Sequence, residues 1–233
     1  MSSTLRVISG GAAQGLVTQL QPAFEARHGC SLNLTFGAVG MMKDRLQAGQ
    51  PCDLLILTEA LVRQLQADGI LVAGTDRALG AVRTGVAVKA GDPAPRVATP
   101  DELRAALVAA RGVYFPDPVK STAGIHFMGI LRQLGLAEEI SARLRPFPNG
   151  ATAMKAMSES SEDGLLGCTQ ITEISFTPGV ELVAALPAEF ELATVYTAAL
   201  CSHAAQAGLA RELIAQLASD QSLALRQSCG FEV

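Results

Sequence analysis

Hydrophobic and polar positions fall into three strand-then-helix periods along the first third of the chain. Residues 5–9 form an apolar run that predicts a buried strand. Gly10, Gly11, Ala12 and their neighbours then lead into a helix whose Leu16, Val17, Leu20, Ala23 and Phe24 share one face, and Gly29 ends it. Residues 31–36 alternate in the manner of a second strand. A turn holding Gly37, Ala38, Val39 and Gly40 opens a helix with Met42, Leu46 and Ala48, closed by Gly49. Residues 51–58 predict a third strand and 59–67 a third helix, stopped by Gly69. Repeats of this kind predict a parallel sheet with crossover helices.

The pattern changes at residues 79–89, a long β-branched run broken by Gly80 and Gly85 and followed by Gly91, Pro93 and Pro95. It reads as a strand carrying the chain into a second lobe. Thr99, Pro100, Asp101 and Glu102 mark a helix start, with a cap residue, a first-turn proline and acids that suit the helix dipole. Strands are expected at 111–115, 164–169, 180–186 and 192–201, and helices at 125–134, 137–144 and 151–157. The last strand returns to the first lobe, where helices 206–218 and 222–227 close the chain. The expected architecture is α/β with two lobes around a cleft, one from residues 1–82 and 196–233 and the other from 83–195.

Composition narrows the function classes. The chain has 233 residues and is 49% hydrophobic, long enough to bury a core in each of two lobes. Its net charge of −4 comes without a run of either sign, which argues against a nucleic-acid partner. No apolar stretch approaches the ~18 residues of a membrane span, so no direct membrane insertion is expected. The five cysteines lack Cys-x-x-Cys spacing and the three histidines are widely separated. Buried free thiols, no metal and no cofactor are therefore expected. As written, the start of the chain predicts a cytoplasmic protein, or a periplasmic one if a cleaved leader precedes it.

The candidate chemistry lies in four loops at strand ends or helix starts. Backbone N–H groups there, helped by the helix dipole, suit a small anion. The first holds Gly10, Gly11 and Ala12, and the second Ala38 and Val39. The third holds Lys120, Ser121, Thr122 and Ala123, and the fourth Asn149 and Gly150, with Gln170 at a later strand end. Ser121 and Thr122 are the strongest side-chain candidates, since hydroxyls at a helix start serve either the cap or a ligand. Glu173 and His126 are the candidates for proton transfer. Glu173 in a first helical turn is most often a capping or solvated acid, and His126 most often a packed one. Lys120 reads as a carboxylate partner or a solvated loop lysine, and Asp53 as a turn acceptor before a catalytic acid.

The strand entering Ser9-Gly10-Gly11-Ala12, the Gly37-Ala38-Val39-Gly40 turn, the Cys52-Asp53-Leu54-Leu55-Ile56 strand and the Gly167-Cys168-Thr169-Gln170 turn together resemble molybdate-binding periplasmic proteins and their relatives. The resemblance covers nearly the whole chain and implies a type II periplasmic-binding fold of the solute-binding superfamily. In molybdate binders, loop serines and a tyrosine coordinate the oxyanion. Here those positions hold Gly11, Ala12, Val39 and Gln170, which shifts the expected ligand to a di- or tricarboxylate. The resemblance also extends to the aconitate isomerase branch, which moves a double bond by allylic proton transfer. The expectation is thus a monomeric solute-binding protein that serves an ABC transporter permease, with an aconitate-isomerase-like enzyme as the alternative. A ligand-sensing domain of a transcription regulator shares the fold, but no helix-turn-helix precedes the first strand.

Overall fold

The computed structural model describes residues 3–233. The chain divides into two compact units. One is built from the segment up to Val82 together with Thr194–Val233, the other from Arg83–Ala193.

In the first unit β1 (Ser3–Gly10) is followed by a 3-10 turn (Gly11–Ala13) and α1 (Gln14–His28), then β2 (Cys30–Gly37) and α2 (Val39–Gln47), then β3 (Leu54–Thr58) and α3 (Glu59–Ala67). β1 pairs in parallel with β2 on one side and β3 on the other. β3 is apolar and buried along its length, as a strand covered on both faces must be. α1 stops because Gly29 turns left-handed, with φ of 61°, while its N–H donates to the Glu25 carbonyl at 2.9 Å. The Glu25 side chain then ties helix to sheet, accepting from the Leu32 amide at 2.7 Å and from Gln21 Nε2 at 2.8 Å.

β4 (Arg77–Lys89) leads out of this unit and into the second. There follow α4 (Pro100–Ala109), β5 (Gly112–Pro116), α5 (Thr122–Gln133), β6 (Leu144–Phe147), α6 (Gly150–Ser158), β7 (Leu165–Gln170), α7 (Ile171–Phe176) and β8 (Val180–Ala185). β5 runs parallel to both β6 and β7, while β4 is antiparallel to β7 and β8. One apolar cluster gathers Val86, Leu103, Phe115, Phe127 and Leu131, and a second gathers Tyr114, Met154, Met157 and Ile174. The capping expected at residues 99–102 is present. The Thr99 hydroxyl accepts from the Glu102 amide at 3.2 Å, and Glu102 Oε2 accepts from the Ala98 amide at 3.0 Å.

Two expectations are corrected here. Residues 137–144 are not a helix. Leu136 and Ile140 are fully buried at helical spacing, but the chain turns through a 3-10 segment (Ser141–Arg143) and Leu144 begins β6. Among the described residues β6 pairs with β5 alone, an edge position that accepts Pro146. The turn that the resemblance placed at 167–170 is instead the end of the strand expected at 164–169, since β7 runs through to Gln170 before α7 starts.

β9 (Ala193–Leu200) re-enters the first unit antiparallel to β3, and α8 (Ala207–Ala218) and α9 (Leu223–Ser228) complete the chain. Asp53, 1% exposed, holds this return in place. Its Oδ2 accepts from the Arg6 amide at 2.8 Å and its Oδ1 from the Gln206 amide at 2.9 Å, so it acts as a backbone acceptor. Arg226, also buried, donates Nη1 to the Leu217 carbonyl at 2.8 Å, where the carboxyl end of α8 welcomes positive charge. Among the described residues no helix is long and apolar enough to cross a membrane, and no group of three His, Cys, Asp or Glu side chains could hold a metal ion.

Candidate ligand-binding loops

In open α/β sheets ligands sit beyond the carboxyl ends of the strands. In the first unit those ends carry Gly10, Gly37 and Thr58. Gly10 is the cap of the 3-10 turn, and a Cβ there would lie 2.9 Å from Val39 Cγ1 and 3.1 Å from Tyr196 Cε1. The missing side chain thus lets three segments close together at one strand end, and brings the first two predicted loops side by side. Ala38 caps α2 with no side-chain hydrogen bond, and Thr58 caps α3 likewise. The first amides of these helices are met by no capping side chain. Tyr196 was missed by sequence reading. It is 3% exposed and pairs with Thr58 across β3 and β9, a juxtaposition that only the strand register reveals.

In the second unit the loop after β5 folds on Asp117, whose Oδ1 accepts from the Val119 and Lys120 amides at 2.7 and 2.8 Å. Gly124 packs so closely on this loop that a Cβ would collide with the Pro116 and Asp117 carbonyls. Ser121, 9% exposed, caps α5 without spending its hydroxyl on the helix. Thr122 and Ala123 form the first turn of α5 and not a loop. His126 lies further along α5, with Nε2 at 2.8 Å from the Phe190 carbonyl.

The fourth loop is already occupied by the protein itself. Asn149 Oδ1 accepts from the Thr152 amide and from its hydroxyl, each at 2.9 Å. Glu173 closes the same helix start from α7. Its carboxylate accepts from Thr169 Oγ1 at 2.6 Å and faces the Gly150, Ala151 and Gln170 amides, which favour its charged form. Gly150 has no room for a Cβ beside this carboxylate. Burial pushes the Glu173 carboxyl above the ordinary carboxylate range, against the pull of those four donors. So placed, Glu173 caps α6, the bland reading of an acid in a first helical turn.

Gln170 is different. It ends β7, is 2% exposed, and neither Oε1 nor Nε2 has a hydrogen-bond partner. Thr84 faces it across the β4–β7 register, and its buried hydroxyl is unpartnered too, as is that of Thr172 at the start of α7. Opposed residues of an antiparallel pair project to one side of the sheet, which puts the Gln170 and Thr84 side chains on the same face. Native proteins rarely leave such groups unfilled.

A family model described as bacterial extracellular solute-binding protein matches residues 5–232. The chain belongs to that family. An aconitate isomerase of a Pseudomonas species is 28% identical over 99% of this chain and 88% of its own. The periplasmic molybdate-binding protein of Azotobacter vinelandii superposes with a TM-score of 0.81 at 17% identity, covering 98% of this chain and 99% of the other. PEB3 of Campylobacter jejuni, solved with L-phospholactate bound, gives a TM-score of 0.69 at 14% identity over 98% of this chain and 99% of the other. These solved structures share the periplasmic-binding-protein fold.

Proposed function

We propose that this solute-binding protein takes a small organic anion, a di- or tricarboxylate, at its strand-end loops. The observation that carries the reading is the buried, unpartnered Gln170 amide on the same sheet face as the equally unpartnered Thr84 hydroxyl. A carboxylate supplies the acceptors these donors lack, and desolvated donors left empty cost about 1–3 kcal/mol each. Within the same unit Ser121 adds a hydroxyl, and in the first unit the uncapped start of α2 offers backbone N–H groups of its own. Val39 and Ala12 bring no hydroxyl to the loops where a metal oxyanion would need one, and their apolar surface suits a carbon skeleton. The aconitate isomerase relative and the L-phospholactate complex of PEB3 support an organic acid. As a solute receptor the protein would deliver its ligand to a transporter permease.

Titration calorimetry against di- and tricarboxylates, molybdate and sulfate tests this. Saturable binding of a carboxylate, weakened at least ~10-fold in Gln170→Leu, is the expected result. Tight molybdate binding, or no carboxylate binding, overturns it.

A second reading is favoured by the isomerase relative, which matches nearly the full chain. The bound tricarboxylate would lose a methylene proton to a base, shift its double bond and regain the proton at the former vinylic carbon. Proton NMR of trans-aconitate with the protein in deuterated water tests it. Formation of cis-aconitate with deuterium uptake supports catalysis, and absence of both leaves binding alone.

A further inference from the structure

Cys52 and Cys201 stand at the other end of the first unit's sheet, where β3 begins and β9 has just ended. The Cys201 amide donates to the Asp53 carbonyl at 3.0 Å, which sets Cys201 against the residue next to Cys52. The Cys52 thiol donates to the Leu54 carbonyl at 3.1 Å, and the Cys201 side chain lies close enough to Cys52 to feel its thiol. Cys52 and Cys201 both line a cavity of about 440 Å³ that also has Arg6, Gln50, Asp53 and His203 in its wall. Nothing in the proposed ligand chemistry uses this end of the sheet. We infer that Cys52 and Cys201 are a dithiol that a small-molecule disulfide, entering through this cavity, converts into a Cys52–Cys201 bridge.

The exchange balances in two steps. One thiol loses its proton and its sulfur attacks the incoming disulfide, forming a mixed disulfide and expelling one thiolate, which takes up a proton. The second thiol then loses its proton and attacks the protein sulfur of the mixed disulfide, expelling the other half as a second thiol. Two protein thiols are oxidised and one external disulfide is reduced. The Cys52 contact and burial push the Cys201 thiol well above its ordinary range, which disfavours its thiolate, so the exchange is slow at neutral pH and speeds up as pH rises. Cys52 precedes the inserted unit and Cys201 follows it, so the bridge closes a loop containing all of Arg83–Ala193. Long loops give the largest entropic stabilisation.

The test is oxidation of the full chain by oxidised glutathione at about pH 8.5, with thiols counted in denaturant and tryptic peptides mapped without reduction. Two of the five thiols are expected to disappear, with Cys52 and Cys201 in one cross-linked peptide pair. The melting temperature should rise by roughly 5–10 °C. Cys52→Ser should abolish the bridge and Cys229→Ser should leave it. Five thiols that still titrate, a bridge through other cysteines, or glutathione adducts without a bridge each overturn the inference. The wild-type peptide map decides the matter even if Cys52→Ser fails to fold.

Discussion

The helix starting at Val39 in the first unit and the helix starting at Gly150 in the second face the same physical problem and meet it in opposite ways. Each begins with N–H groups that have no partner within the helix. In α6 the protein fills them itself, with Asn149 on one side and the buried Glu173 carboxylate on the other. In α2 the cap is Ala38, which supplies nothing. The second unit keeps its unfilled polar groups elsewhere, on Gln170, Thr84 and Thr172. A helix start is available to an anion only where the chain has left it open. Gly-rich sequence alone does not distinguish a seat from a cap.

The largest effect should come from breaking the closed start. Gly150→Ala drives a Cβ into Glu173 and Thr169, and should cost about 3 kcal/mol or more by urea unfolding. The same substitution at Gly129, inside α5, where a Cβ would meet no atom within 4 Å, is expected to be mild. Gln170→Leu sharpens the other half of the contrast. Removing an unfilled buried amide should raise stability by about 1 kcal/mol while lowering carboxylate affinity, a divergence that a purely structural glutamine would not give. Ala38→Ser supplies α2 with the cap it lacks. It should stabilise by about 0.5–1 kcal/mol and weaken anion binding by competing for the same amides.

The smallest effect is in pH dependence, where the two units carry acids of opposite sign. Glu25 in the first unit is held below the ordinary carboxylate range by its bonds to Leu32 and Gln21. Its contribution is present above the unfolded value near 4.5 and fades as pH falls through the lower folded value. Glu173 in the second unit is raised by burial. Its contribution is full below the same unfolded value of 4.5 and is lost as pH rises through the higher folded value. Melting temperatures across a pH series should show Glu25→Gln flattening the acid limb and Glu173→Gln flattening the limb above it.

Much of the framework was legible because its signals are local. Apolar runs at β1 and β3, the stop at Gly29 and the Thr99–Glu102 cap each depend on a few neighbouring residues. The errors fell where distant residues decide. Leu136, Ile140 and Leu144 have helical spacing, yet the first two fill the core from a turn and the third starts an edge strand. Glu173 reads as a lone acid until α7 brings it to the start of α6. Tyr196 beside Gly10, and Cys201 against Cys52, are products of the β3–β9 pairing. No spacing in the sequence announces them.

The insertion of Arg83–Ala193 between two segments of the first unit sets an order of assembly. On the ribosome the inserted segment emerges complete, with the strand partners of its own sheet close in sequence. The first unit must wait, because β9 is synthesised after the whole insert and until then β3 presents a bare hydrogen-bonding edge. Nascent chains ending before Thr194 should therefore protect the inserted segment from proteolysis while the earlier segment stays cleavable and dependent on holding chaperones. The last strand to be made is the one that lets the first strands finish folding.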